Sequence, residues 1–248
     1  MWSIVNYIQG TLLMILTFLS GGSVMLLKFI TRTPRFGFYV MRYFWSPFSL
    51  LILGIRYRLV KSSDLSPYET CIFYVNHSSW IDIALVNRVI PRNLHFIAKE
   101  ELRKKPFVGG AISGMDMVFV DRSNRAKAVK SLNEAAIKVK EGRNIIAFPE
   151  GTRSLDGQLK PFKKGLFHLA IQSGVPLVPV AISGAFDLVP KGFRMRPGVV
   201  DVSIGEPIIT KDLTIEDLNP LITRSWDDLN KLKMEMDLKR KKNKIPST

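Results

Sequence analysis

At 248 residues, with 46% hydrophobic and 10% aromatic side chains, the chain suits one large folded domain with an appendage, and global disorder is excluded. A net charge of +15 and a pI near 10.0 call for an anionic partner: nucleic acid, a membrane surface or a phosphorylated substrate. The one cysteine, Cys71, rules out an internal disulfide and a multi-cysteine metal site, and its place in an apolar run reads as a buried thiol.

Residues 1–27 carry no charge, and the dense apolar stretch 11–19 lies within them. The segment is long enough to span a bilayer, for which ~20 residues suffice, although Asn6, Gln9 and Gly21-Gly22 weaken that reading. No positive region precedes it, so it does not read as a signal peptide. Thr33-Pro34 breaks the chain, and a second apolar stretch, 36–55, crowds Phe36, Phe38, Tyr39, Tyr43, Phe44, Trp45 and Phe48 around Arg42 and Pro47. The first acidic residue is Asp64, whereas Lys28, Arg32, Arg35, Arg42, Arg56, Arg58 and Lys61 precede it. Aromatics beside cations match the lipid headgroup zone. The two stretches therefore read as a membrane-associated helical hairpin; a single true span, or two helices packed on the domain as ordinary core, are the alternatives.

From Tyr57 onward strands and helices alternate. Strands are expected at 70–75, 94–98, 117–120, 144–148, 175–182 and 199–204. Helices are expected at 79–89 (capped by Ser78 or Ser79), 124–141 (capped by Ser123 and stopped by Gly142), 164–173 (ended by Gly174) and 215–238. The pattern predicts an α/β layered domain with a mixed, largely parallel sheet flanked by helices. The expected division is 1–56 as docking hairpin, 57–238 as α/β domain and 239–248 as a basic, solvated tail.

Chemistry concentrates at strand ends. Asn76-His77-Ser78-Ser79-Trp80-Ile81-Asp82 follows the strand at 70–75, and His77 is one of only three histidines. An acid in the first turn of the next helix can hold one imidazole nitrogen and leave the other to accept a proton. A structural histidine capping a turn is the alternative. His95 falls within a strand and His168 within a helix, and both read as structural. The chain lacks the parts of a serine hydrolase, having no Gly-x-Ser-x-Gly elbow. The histidines also lack the paired spacing of a metal site. The base would then serve a hydroxyl brought in from outside.

Phe148-Pro149-Glu150-Gly151-Thr152-Arg153-Ser154 leaves a second strand, and its glycine, hydroxyls and arginine suit an oxyanion or phosphate. Lys160, Lys163 and Lys164 follow at a helix start, which favours anions. Lys99 and Arg122 leave two further strands, and such cations suit phosphate. Together the four exits predict one pocket for a phosphorylated, hydroxyl-bearing substrate.

In these residues the chain resembles the glycerolipid acyltransferases, most of all the lysophosphatidic acid acyltransferases. His77 and Asp82 match the His-x4-Asp block, and Lys99, Leu102, Gly109 and Arg122 match the Lys-x2-Leu-x6-Gly-x12-Arg block at every spacing. Residues 148–154 match the third block, and Val175-Pro176-Leu177-Val178-Pro179-Val180 the fourth. The resemblance implies His77 as general base on the sn-2 hydroxyl of lysophosphatidate, with Asp82 orienting it, and direct attack on the thioester of acyl-CoA or acyl-carrier protein. It implies Lys99 and Arg122 as phosphate contacts, and Glu150, Gly151, Thr152 and Arg153 as the acceptor-binding loop. Thr152 favours the lysophosphatidate branch. The fourth block, with its prolines, is expected to shape the pocket or a sheet edge.

No metal or cofactor is implied beyond the acyl thioester as co-substrate. The implied partners are lysophosphatidate and the phospholipid bilayer, at the cytoplasmic face of a cell membrane, with no nucleic acid. A different lysolipid acceptor, or a membrane-surface lipid-binding protein with an idle base, are the competing functions. Nucleic-acid binding fits the pI, but no zinc-finger, recognition-helix or aromatic RNA-binding pattern accompanies it.

Overall fold

The computed structural model describes residues 4–242 except 122, 123, 191 and 193, and excepting the side chain of Arg125. Helix α1 (Ile4–Thr31) is followed by α2 (Arg35–Tyr39), a π-helical segment (Val40–Trp45) and α3 (Ser46–Ile52). The last three form one continuous helical run. The widened turn lies immediately before Pro47, which has no N–H for the ladder and whose ring would crowd an α-helical turn. The run returns along α1: Trp45 Nε1 donates to Thr17 Oγ1 at 3.1 Å, and Gln9 Nε2 to the Ile52 carbonyl at 2.9 Å.

Seven strands form the sheet: β1 (Ile55–Ser62), β2 (Ile72–Val75), β3 (Leu94–Lys99), β4 (Val118–Val120), β5 (Asn144–Ala147), β6 (Leu177–Ser183) and β7 (Gly198–Ile204). Their order is β1-β7-β6-β2-β5-β3-β4, and every neighbouring pair is parallel except β6 with β7. The mixed, largely parallel sheet expected from the alternation is present. β1 falls across the end of the second apolar stretch, and as an exposed edge strand it lacked a readable pattern.

Both faces of the sheet are covered, as parallel strands require. Along β2 the buried side chains alternate, Phe73 and Val75 facing one cluster and Ile72 and Tyr74 the other. The first cluster is closed by α3, α4 (Asp82–Val89) and α8 (Ala185–Leu188). The second is closed by α6 (Arg125–Lys140), α7 (Gly165–Ser173) and α9 (Leu218–Lys242). Between β3 and β4 lie a 3-10 turn (Glu100–Lys104) and α5 (Val108–Gly114), neither foreseen in the sequence.

Several boundaries differ from expectation. α4 begins at Asp82, not at residue 79; its N-cap is Ile81, whose side chain has no polar atom to cap with, and the Ser78 and Ser79 amides both donate to Asp82 Oδ2. α6 is capped by Asn124, whose side chain accepts from Lys127 N at 3.0 Å; the expected cap Ser123 lies outside the described residues. β6 is interior, not an edge, despite Pro179. The proline falls where the β7 ladder breaks off, between the Val180–Ile204 pair and the isolated Leu177–Ile208 bridge. The expected solvated tail is helical as far as Lys242, and Arg240 donates to the Val199 carbonyl at 2.7 Å and to Asp201 at 3.2 Å.

Candidate active site

The parallel run β2-β5-β3-β4 places four C-terminal strand ends along one edge of the sheet, which is where open α/β sheets bind ligands. At the first exit, the Asn76 side chain donates to the Ile182 carbonyl at 2.9 Å and accepts from the Ile182 amide at 2.7 Å. It thereby continues the β2–β6 ladder by one side-chain step, a role unmarked in the sequence. Ser79 Oγ donates to the Val189 carbonyl at 2.7 Å and ties down the far end of the loop.

Between those anchors, His77 Nδ1 lies 2.8 Å from Asp82 Oδ2. The same oxygen accepts the Ser78 and Ser79 amides, each at 2.9 Å. Asp82 is fully buried at the N-terminus of α4, where the helix end favours negative charge. A carboxylate oxygen already accepting two amides leaves Nδ1 as the donor and Nε2 with the free lone pair. The Phe148 ring stacks on the imidazole at 4.0 Å between centroids and 20° between planes, fixing the plane of the ring.

The second exit, after β5, folds as a turn in which Gly151 N donates to the Phe148 carbonyl at 3.0 Å and Gly151 takes φ 76°, the left-handed region open to glycine. Its residues separate into two groups. Gly151, Thr152 and Arg153 line the cavity beside His77. Glu150, counted with them in the sequence, turns the other way and is only 3% exposed. Its Oε1 accepts the His77 amide at 2.6 Å and its Oε2 the Lys160 amide at 3.1 Å. Burial pushes the Glu150 carboxyl above its ordinary range, while the two amides work against that shift. Ser154, also buried, donates its amide to the His77 carbonyl at 2.7 Å.

Lys99 is the last residue of β3 and lines the same cavity. Arg122 lies outside the described residues. The lysines after the loop do not line the cavity: Lys160 Nζ holds the Arg153 carbonyl at 3.0 Å, and the Lys163 amide donates to the Pro149 carbonyl at 2.8 Å. The Lys160 side chain and the Lys163 main chain thus help to shape the loop. His95 and His168 are likewise absent from the lining.

The cavity itself, about 490 Å³, runs from this polar end into an apolar chamber. Its walls are α1 (Thr17, Gly21, Val24), the π segment (Met41, Trp45) and α5 (Ala111, Ile112, Met115). α1 approaches α5 closely because both carry glycines at the contact. A Cβ on Gly21 would lie 3.2 Å from the Phe107 carbonyl oxygen, and one on Gly110 would lie 2.4 Å from Met25 Sδ. The Phe18 ring meets Phe107 edge-on at 4.8 Å. A proton acceptor, cations and exposed loop groups thus meet at the mouth of an apolar chamber suited to a hydrocarbon chain.

The family model described as Acyltransferase matches residues 56–183. The chain is 34% identical over 208 residues to an uncharacterized acyltransferase of Schizosaccharomyces pombe, covering 82% of this chain and 75% of that protein. It is 36% identical over 185 residues to the 1-acyl-sn-glycerol-3-phosphate acyltransferase of Saccharomyces cerevisiae, covering 72% of this chain and 60% of the yeast protein. Among solved structures, the 1-acyl-sn-glycerophosphate acyltransferase of Thermotoga maritima superposes with a TM-score of 0.72 at 30% identity, over 91% of this chain and 95% of that one.

Proposed function

This chain belongs to the acyltransferase family, and we propose that it acylates lysophosphatidate at the free sn-2 hydroxyl, giving phosphatidate. The observation that carries this is the pairing of His77 and Asp82 at the mouth of an apolar chamber that also holds Lys99 and Arg153. Nε2 of His77 takes the hydroxyl proton as the substrate oxygen attacks the thioester carbonyl of acyl-CoA or acyl-carrier protein. Asp82 stabilises the imidazolium so formed. Collapse of the tetrahedral intermediate breaks the C–S bond, and the imidazolium returns its proton to the departing thiolate. No acyl-enzyme is formed. Lys99 and Arg122 hold the acceptor phosphate, Arg153 adds an anion contact, and the chamber takes a lipid chain.

The N-terminal helices bring this mouth to the substrate. α1 is long and apolar enough to cross a membrane. Much of its apolar surface is uncovered, including Ile8, Ile15, Leu19, Leu26, Phe29 and Ile30, and the returning helix adds Tyr39, Tyr43, Phe44, Phe48 and Leu51. Arg32 and Arg35 flank the turn between them, with Arg32 5.3 Å from the centre of the Phe29 ring. Cations at that end resist burial in hydrocarbon, which supports the turn in the headgroup zone, and we place the hairpin along that zone of the cytoplasmic leaflet.

His77→Ala tests the assignment. Transfer from acyl-CoA or acyl-carrier protein to lysophosphatidate is lost while folding and vesicle binding persist. Retained turnover overturns the general-base role. Transfer only to other members of a lysolipid panel overturns the acceptor.

A further inference from the structure

Glu150 lies in the acceptor-binding loop of the sequence yet has no path to an acceptor. Its side chain is buried, it is absent from the cavity lining, and its two oxygens are taken by main-chain amides, His77 N at 2.6 Å and Lys160 N at 3.1 Å. From the other side the Ser154 amide holds the His77 carbonyl at 2.7 Å. The peptide groups on both sides of the His77 side chain are therefore fixed by a single five-residue loop, 150–154.

We propose that Glu150 is a positioning residue: through the His77 main chain it sets where the imidazole stands relative to Thr152 and Arg153, so that base and acceptor loop keep one geometry. The chemistry explains why an acid occupies the position. Two N–H donors approach two different oxygens, which demands two acceptors and no donor. Glutamine supplies one acceptor and turns an N–H toward an N–H. Aspartate keeps the charge but is one methylene shorter and reaches only one of the amides. The Lys160 amide matters for the same reason, since Lys160 Nζ also fixes the Arg153 carbonyl at 3.0 Å. One carboxylate thus ties the base to the strap that shapes the substrate side of the loop.

The inference rests on His77 acting as base, and the test separates the two. Steady-state kinetics are measured on the full chain in mixed micelles for Glu150→Gln, Glu150→Asp and His77→Ala, with thermal melting as the folding control. The expected result is a fall in kcat of about 10–100-fold for Glu150→Gln and a smaller fall for Glu150→Asp, with the acceptor and donor KM within twofold of the parent, because misplaced proton transfer is lost only in the transition state. The Nδ1 proton resonance of His77, identified by its disappearance in His77→Ala, shifts in Glu150→Gln. A raised acceptor KM with unchanged kcat makes Glu150 a substrate contact and overturns the proposal while leaving the base intact. Unchanged kinetics in both variants overturn it equally. Full turnover by His77→Ala removes the premise instead. Should Glu150→Gln fail to melt cooperatively, Glu150→Asp carries the same comparison.

Discussion

Asp82 Oδ2 stands 2.8 Å from His77 Nδ1 and gathers two main-chain amides on the same atom, while Asp82 Oδ1 is buried with no hydrogen-bond partner among the described residues. The carboxylate orients the ring and the loop through one oxygen, and its second oxygen contributes charge alone. That division makes the two contributions separable.

Asp82→Asn can present its carbonyl oxygen to all three donors and leave the amide nitrogen where Oδ1 now sits. Geometry persists and charge is lost. The expected outcome is a fall in kcat of roughly 10³–10⁴-fold with acceptor KM little changed. A melting study should show a cost of about 1–3 kcal/mol for the unpaired buried NH2. A fall of less than tenfold in kcat would show that the charge does not matter.

Gly109, in α5, sits so close to the preceding 3-10 turn that a Cβ would lie 2.1 Å from the Arg103 carbonyl oxygen and 2.8 Å from that of Leu102. Those atoms are backbone and cannot swing aside. Gly109→Ala should lower stability by about 1–3 kcal/mol and disturb the cavity wall. Gly22, on α1, has nothing within 4 Å of its Cβ position, so Gly22→Ala should stabilise by up to ~1 kcal/mol. Paired thermal melts decide both.

Burial holds His95 neutral, lowering its pKa from 6.5 to about 4, with Arg143 and Lys138 acting in the same direction and a bond to the Asn144 main chain opposing them. The folded state therefore binds the proton less readily than the unfolded one. Stability contributed by neutral His95 is complete above pH 6.5 and is lost as pH falls toward 4, by roughly 3 kcal/mol at most. Urea titrations at pH 7 and pH 5 should show that loss, and His95→Gln should reduce it. Equal losses in parent and variant would assign the acid sensitivity elsewhere.

Phe29 and Ile30 are 68% and 65% exposed on α1. If the hairpin rests in the headgroup zone, replacing both with serine should weaken partition onto anionic vesicles by about 100-fold, at ~1.5 kcal/mol for each side chain. Arg32→Gln with Arg35→Gln should reduce the preference for anionic over neutral vesicles, at ~1 kcal/mol per charge. Vesicle sedimentation measures both. Unchanged partition would place a different surface at the membrane.

Much of this site could be read from the residues because its parts are local. His77 and Asp82 are five positions apart, and a short loop entering a helix is enough to bring an imidazole to a carboxylate. Strand ends at Val75 and Val120 were also legible from their apolar runs, and the other two were read one residue away, at Ala98 where β3 ends on Lys99 and at Phe148 where β5 ends on Ala147. Their convergence follows from the parallel order β2-β5-β3-β4, which puts all four ends on one edge.

Other features needed contacts between distant parts of the chain. β1 was hidden because an edge strand facing solvent carries no clear period, and it is defined by its pairing with β7 some 143 positions away, as in Arg58 with Asp201. α5 is a short, glycine-rich helix with no amphipathic repeat, and its role as a cavity wall depends on α1 docking against it. The sequence by itself determined which groups could accept a proton, bear charge or enter lipid, because those properties belong to side chains. Only the tertiary structure decided the orientation of Glu150. Its position beside Gly151, Thr152 and Arg153 predicts a substrate contact, but the paired amides of His77 and Lys160 draw it inward, and no local pattern encodes a hydrogen bond across 73 residues.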